Sequence, residues 1–198
     1  MMNDARKRSR TPDRRAVARS LRAGSRAARR NPRGVAPSDR AASAPSGDAV
    51  ALSDAIAPGA DGLIQLRALM ASGRKPGILV ALDFAMTEVD VGRAVFAGVP
   101  GEHAYNPIGT VHGGYAATLL DSACGCAVHS RLTASQAYTT LELKVSYLRP
   151  ITRDTGLVRA EGRLVSLGRR VAFAEALLTD AGGRLYATAT STLLVFER

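Results

Sequence analysis

A histidine, two glycines and an aspartate stand at a spacing that could support chemistry on a carbonyl group. His112, Gly113 and Gly114 follow a polar turn, and Asp121 lies eight residues after Gly113 in an apolar run. Glycines at a helix N-terminus leave backbone N–H donors open to a ligand oxygen at the positive end of the helix dipole. Such donors stabilise an oxyanion, and a carboxylate can act as base or nucleophile. Paired glycines also suit a place where another backbone passes close by, so the motif alone leaves both interpretations open.

The run from 112 to 128 predicts a long helix that is buried nearly all round, because Asp121 is its only charged residue. Asp121 is then expected to be buried as well. A buried carboxylate costs several kcal/mol unless it is paired, which favours a functional role. The alternative is a structural aspartate satisfied by the hydroxyl of Thr118 or Ser122.

The distance between the two ends of this motif predicts a dimer. Eight residues of helix separate Gly113 from Asp121 by about 12 Å, at roughly 1.5 Å per residue. One catalytic centre cannot easily contain both from the same chain. Two antiparallel copies of the helix would bring Gly113 of one chain to Asp121 of the other, which predicts a homodimer with two shared sites.

Charge is concentrated at the beginning of the chain. Residues 1–48 hold 13 of the 27 Lys and Arg against four Asp, so they carry +9 of the net charge of +10. This segment has almost no large apolar side chain, which predicts a disordered basic tail (1–48) ahead of one domain (61–198). A transit peptide and an upstream reading-frame extension are alternatives for the tail. A nucleic-acid or membrane contact is disfavoured, since the segment has no aromatic residue to stack on a base or anchor at an interface.

The rest of the composition predicts a cytoplasmic protein with no membrane segment. The chain has no secretory apolar core and no apolar run long enough to span a bilayer. Two cysteines, Cys124 and Cys126, suit a reducing compartment. Positions two apart on a helix point about 200° away from each other, so the pair cannot chelate one metal ion, and both are interpreted as small core residues. We expect no metal and no cofactor.

Hydrophobic periodicity predicts two helices and six strands. The order is helix 61–72, strands 78–89 and 93–99, helix 112–128, and strands 138–148, 156–167, 170–180 and 185–196. Antiparallel hairpins on both sides of one buried helix predict an α+β domain in which a curved sheet wraps around that helix.

This order, with the segment Asn106-Pro-Ile-Gly-Thr-Val-His-Gly-Gly114 at the helix start and Asp121 inside the helix, resembles the hotdog-fold acyl-CoA thioesterases of the PaaI type. The resemblance covers residues 61–198 and includes the strand 138–150 and Gly168-Arg169-Arg170. It implies a hotdog fold, hydrolysis of an acyl-CoA thioester, and a homodimer that pairs into a dimer of dimers. The acyl groups that it suggests are medium-chain or aryl-acetyl groups.

The resemblance also implies roles for single residues. Asp121 would be the general base or the nucleophile, supplied by the partner subunit, and the Gly113 N–H would hold the carbonyl oxygen. The other expected site residues are Asn106 and Thr140, which would orient water, His112, which would shape the thioester site, and Gly114, Tyr115, Gly168, Arg169 and Arg170, which would bind substrate. Asn106 could instead form only a turn before Pro107, and the arginine pair could be a solvated hairpin end.

The sequence is also compatible with two other functions. One is an acyl-CoA-binding regulator without turnover, which is disfavoured because a buried aspartate facing oxyanion donors is costly to keep without use. The other is a hotdog dehydratase, whose relatives pair an Asp with a His on one element. Here Asp121 follows His112 by nine residues, about 180° round the helix, which disfavours that reaction.

Overall fold

A computed structural model describes residues 57–198, so the basic tail predicted at 1–48 lies outside the described residues. The helices are α1 (Gly62–Ser72), α2 (Gly77–Ala81) and α3 (Gly113–His129), with short 3-10 turns at Glu102–Ala104 and Arg153–Thr155. The strands are β1 (Phe84–Asp90), β2 (Arg93–Gly98), β3 (Gln136–Tyr147), β4 (Val158–Leu167), β5 (Val171–Asp180) and β6 (Leu185–Glu197). No helix within this described part is both long and apolar enough to cross a membrane.

The six strands form one antiparallel sheet in the order β1-β2-β4-β5-β6-β3. Helix α3 packs against one face of the sheet and contacts every strand. The predicted α+β architecture, with a curved sheet around a long central helix, is therefore confirmed. Strands β1 and β3 are the two edges of the sheet.

The core lies between α3 and the concave face of the sheet. Leu119, Leu120, Ala123 and Val128 of α3 have no exposed surface. The helix lies very close to the sheet at Gly162 of β4, where a Cβ atom would lie 2.3 Å from the backbone carbonyl group of Ala123. A side chain at this position would force the helix away from the sheet.

One predicted element is wrong. The sequence pattern predicts that residues 78–81 belong to the first strand, but they lie in the short helix α2, and strand β1 begins only at Phe84. The Ile-Leu-Val-Ala run fits a buried strand and a buried helix turn equally well, because a short apolar run has no period of its own. Pro76 starts the turn, since its carbonyl accepts hydrogen bonds from the N–H groups of Leu79 and Val80. Asp83, with φ of 50°, then reverses the chain into β1.

Edge strand β3 carries a bulge next to the middle of helix α3. Thr140 pairs with Leu193 and Glu142 pairs with Thr192, so Leu141 is an extra residue without a partner on β6. Leu141 is 58% exposed. Within residues 57–198, β3 pairs only with β6, and its outer edge is open.

Five charged side chains connect three strands on the outer face of the sheet. Glu161 of β4 accepts hydrogen bonds from Arg93 (3.1 Å), Arg159 (2.7 Å) and Arg163. Glu88 of β1 accepts from Arg93 (2.7 Å) and Arg159 (3.1 Å). The hydrogen bond from Arg93, followed by those from Arg159 and Arg163, lowers the pKa of Glu161 to about 2, against an opposing effect of burial.

We expect Glu161→Gln to destabilise the domain at pH 7 and to have little effect at pH 2. Because the pKa of Glu161 in the folded protein lies below its ordinary value of 4.5, its contribution to stability is present above pH 4.5 and is lost as the pH falls toward 2. The shift corresponds to roughly 3 kcal/mol at most. Urea unfolding of both proteins across this pH range measures the difference.

Glu88→Gln is the matched control for this prediction. The Glu88 side chain is 47% exposed, whereas that of Glu161 is 18% exposed. Solvent therefore screens the ion pairs of Glu88 more strongly than those of Glu161. The effect of Glu88→Gln should be smaller at every pH. Equal losses from the two variants, or a Glu161→Gln loss that does not depend on pH, would contradict this account.

Candidate active site

Asp121 lines a cavity beside helix α3. This cavity has a volume of about 340 Å³ and lies between α3, α1, α2 and strands β1 to β3. Its wall is mainly apolar, and its polar members on α3 and β3 are Asp121, Ser122, Cys126, Tyr138 and Thr140. We call it the carboxylate cavity.

Asp121 accepts a hydrogen bond from strand β3, and not from Thr118 of its own helix. Thr140 of β3 donates its hydroxyl to Asp121 Oδ1 at 3.1 Å. Thr118 instead donates to the carbonyl of Gly114, one turn back along the helix. Asp121 was expected to be buried, but in the single chain it is half-buried because it faces the cavity. The site residues Asp121 and Thr140 are thus brought together.

Cys126 and Tyr138 line the same cavity but remain protonated. Burial, and then the charge of Asp121, raises the pKa of the Cys126 thiol to about 12. Burial also raises the pKa of the Tyr138 hydroxyl above its ordinary value. Neither group therefore supplies a nucleophilic anion near neutral pH.

The start of helix α3 is organised by His112. This residue is the N-cap, and its Nδ1 accepts a hydrogen bond from the N–H of Gly114 at 2.9 Å. An accepting Nδ1 carries no proton, so the neutral imidazole has its proton on Nε2. Within the described region, no hydrogen bond uses the N–H of Gly113. The N–H of Gly114 is therefore used by the helix cap, whereas the N–H of Gly113 is available to a ligand.

Asn106 stabilises the loop that leads into this helix. Its side-chain amide donates to Thr110 Oγ1 at 3.1 Å and to the carbonyl of Val111 at 3.4 Å. Its backbone N–H donates to the carbonyl of Thr110 at 2.7 Å. Asn106 therefore lies at the Gly113 end of the helix, and its contacts in the single chain are those of a loop-closing residue.

The expected site residues fall into two groups within one chain. A second cavity, of about 300 Å³, is lined by His112, Gly113, Tyr147 and other residues at the start of α3. We call it the glycine cavity. It shares no lining residue with the carboxylate cavity. The expected site is therefore divided into two half-sites in separate places. Asp121 and Thr140 form one half-site, and Gly113 and His112 form the other.

Some expected substrate-binding residues lie outside both cavities. Tyr115 is 3% exposed and packs edge-to-face against Phe84 in the core, and its hydroxyl has no hydrogen-bond partner in the part of the chain that the structure describes. Burial, and then the charge of Asp83, raises the pKa of Tyr115 to about 12. Gly168, Arg169 and Arg170 form the exposed turn between β4 and β5 and line neither cavity.

Sequence reasoning missed the wall of the carboxylate cavity. Cys126, interpreted above as a core residue, lines it together with Gly125 and Ser122. Helical spacing could have identified Gly125, since it lies four residues after Asp121 on the same face. The described residues contain no cluster of three or more His, Cys, Asp or Glu side chains that could hold a metal ion.

We expect His112→Ala to lower the free energy of unfolding by about 1 kcal/mol, because it removes the N-cap acceptor of α3. His112→Asn should restore most of this loss, since its side-chain oxygen can accept the same N–H hydrogen bond. Urea denaturation of the three proteins at one pH measures both effects. Equal stability of the alanine and asparagine variants would show that the cap bond does not stabilise the helix.

Sequence comparison places the central part of the chain in a known family. The profile of the Thioesterase superfamily matches residues 108–187, which include α3 and both half-sites apart from Asn106. A curated relative from Halobacterium salinarum, named as a candidate esterase, is 46% identical over 69 residues. That match covers 34% of this chain and only 44% of the relative's length.

Solved structures are similar over nearly their whole length. A phenylacetic acid degradation-related protein from Ralstonia eutropha is 31% identical, with a TM-score of 0.59, and the match covers 65% of this chain and 97% of that one. A variant of the phenylacetic acid degradation protein PaaI from Thermus thermophilus is 29% identical, with a TM-score of 0.55, over 60% of this chain and 98% of the other. The fold, the family profile and these relatives together show that the chain belongs to the hotdog-fold thioesterase superfamily, a family of thioester hydrolases.

Proposed function

We propose that this protein hydrolyses an acyl-CoA thioester to the free acid and CoA. The observation that carries the proposal is the carboxylate cavity, in which Asp121 lies beside a mainly apolar space of about 340 Å³. An apolar cavity with one reactive polar group is typical of a site for a small organic substrate. Leu69, Leu79 and Phe96 line this space and would contact the acyl group.

Asp121 has two possible roles in this reaction. As a base, it takes a proton from water while the water oxygen attacks the thioester carbon; the C–S bond then breaks and the proton passes to the leaving thiolate. As a nucleophile, its carboxylate attacks the same carbon and displaces the thiolate, and water hydrolyses the resulting anhydride. In both routes the Gly113 N–H stabilises the negative oxygen, and Thr140 holds the carboxylate in place. An acyl adduct on Asp121, trapped by acid quench in a single turnover, would identify the nucleophilic route.

The complete site is proposed to form between two chains. The half-sites of one chain line separate cavities, and the outer edge of β3 can pair with β3 of a second copy. That pairing would set two α3 helices side by side and antiparallel, with Gly113 of one chain near Asp121 of the other. Phe173 and Leu177, which are exposed on the outer face of the sheet, favour a further pairing into a dimer of dimers.

The charge near the cavity supports a CoA ester as the substrate. Arg74 and Lys75, in the loop between α1 and α2, line the carboxylate cavity and are exposed. They would attract the negative phosphates of CoA. Cys124 and Cys126 are free thiols, which supports a reducing, cytoplasmic setting.

A panel of acyl-CoA esters tests the proposed function directly. Purified protein is incubated with esters from acetyl to palmitoyl and with aryl-acetyl esters, and released CoA is measured with a chromogenic thiol reagent. We expect turnover that rises from acetyl to a medium-chain or aryl-acetyl group. If no ester gives CoA release above that of a protein-free blank, the protein is not an acyl-CoA thioesterase, and binding without turnover becomes the better account.

We expect Cys126→Leu to shift the preference toward shorter acyl groups. The larger side chain would project into the carboxylate cavity, where Cys126 forms part of the wall beside Gly125. The value of kcat/KM should fall by about 10-fold or more for the longest good substrate and change little for acetyl-CoA, since one or two lost methylene contacts are worth about 1–3 kcal/mol. An equal fall for every chain length would place the acyl group elsewhere.

A further inference from the structure

The peptide group between Gly113 and Gly114 is held at both of its ends. The hydroxyl of Tyr147 donates to the Gly113 carbonyl at 2.9 Å, and the N–H of Gly114 donates to Nδ1 of His112 at 2.9 Å. Two successive glycines would otherwise give the first turn of α3 unusual backbone freedom, because glycine restricts φ and ψ least. These two side chains supply the restraint that the glycines lack.

Tyr147 also contacts the helix through its ring. A Cβ atom added at Gly113 would lie 3.0 Å from Cζ and 3.1 Å from the hydroxyl oxygen of Tyr147. A side chain at position 113 would therefore be in tight contact with the ring and would displace it by a few tenths of an ångström. Tyr147 and Gly113 are both members of the glycine cavity.

We propose that Tyr147 is a positioning residue that orients the Gly113 N–H toward the thioester oxygen. By fixing the Gly113 carbonyl, it limits rotation about φ and ψ of Gly113 and so fixes the direction of the open donor. The inference rests on the proposed function, because the donor matters for catalysis only if a thioester oxygen binds there. An oxyanion donor that is free to turn loses part of its effect, since preorganisation is the source of the stabilisation.

Tyr147→Phe is the direct test, since it removes the hydroxyl and keeps the ring over Gly113. We expect kcat to fall about 10-fold, a fraction of the roughly 10²- to 10³-fold lost when an oxyanion donor is deleted. The value of KM should stay within about two-fold, because the loss is confined to the transition state. The unfolding midpoint should not change.

Amide hydrogen exchange at Gly114, followed by NMR in the free protein, is the second measurement, because the N–H of Gly114 is the bonded donor of this peptide group. Exchange should become faster in Tyr147→Phe, because the peptide group loses the hydrogen bond from the Tyr147 hydroxyl. This measurement needs no substrate, so it separates the positioning role from the proposed activity.

Tyr186→Phe is the matched control. It also removes one tyrosine hydroxyl bond, the 3.2 Å contact with Asp180 Oδ2 at the turn between β5 and β6. The control should change neither kcat nor exchange at Gly114.

The outcomes separate the two proposals. Unchanged exchange in Tyr147→Phe would overturn the positioning role, and a fall in kcat with unchanged exchange would mean that Tyr147 contacts the substrate directly. Faster exchange in a protein that releases CoA from no ester would show that Tyr147 restrains the peptide group, and would refute the proposed function.

Discussion

Asp121→Asn should lower kcat by about 10²- to 10⁴-fold and leave KM nearly unchanged. Asparagine has the shape of aspartate, and its side-chain oxygen can still accept the Thr140 hydroxyl, which lies 3.1 Å from Asp121 Oδ1. It cannot take a proton from water or attack the thioester carbon at a useful rate. Steady-state kinetics with the best acyl-CoA ester measures the effect.

The control for this variant is Asp154→Asn, the same change in an exposed 3-10 turn. It should have no effect on kcat. If Asp121 has only a structural role, Asp121→Asn would instead alter the unfolding transition and leave kcat close to that of the original protein. That result would remove Asp121 from the proposed mechanism.

A mixture of Asp121→Asn chains and Gly113→Pro chains should recover activity that neither variant has alone. Proline is tolerated at the first position of a helix but has no N–H, so it deletes the proposed oxyanion donor. It would also push aside Tyr147, which belongs to the same half-site. A mixed dimer combines the intact Gly113 half of one chain with the intact Asp121 half of the other.

The expected recovery can be stated as a number. Random mixing at equal concentration makes half of the dimers mixed, each with one intact site of two, so about a quarter of the original activity should return. Native mass spectrometry confirms the mixed species, and unfolding curves confirm that both parents fold. Mixed dimers that remain as inactive as their parents would rule out a site built from two chains.

Local patterns in the sequence were sufficient to predict most of the fold. The long apolar run ending near Val128 has helical length, and its single charge identified Asp121 as unusual. The strands after Leu132 alternate with period two, and their predicted bounds agree with β3 to β6 within two residues. The segment 78–81 was assigned wrongly because four apolar residues after a proline carry no periodicity.

The contacts of the site could not be predicted in the same way, because they join distant parts of the chain. Thr140 reaches Asp121 from 19 residues away, and Tyr147 reaches Gly113 from 34 residues away. No local pattern encodes which hydroxyl meets which helix position. The role of Cys126 was missed for a related reason, since a small helix residue looks the same in sequence whether it faces a core or a cavity.

The bulge at Leu141 determines which side chains of strand β3 face helix α3. Thr140 and Tyr147 are an odd number of residues apart, so on a regular pleat they would point to opposite faces of the sheet. Their partners on β6, Leu193 and Ala187, are an even number apart and both buried, which places both β3 side chains on the helix side. The extra residue Leu141 shifts the alternation of the side chains by one position, so that Thr140 and Tyr147 face the same side of the sheet. Without it, the strand could present one half-site to helix α3 but not both.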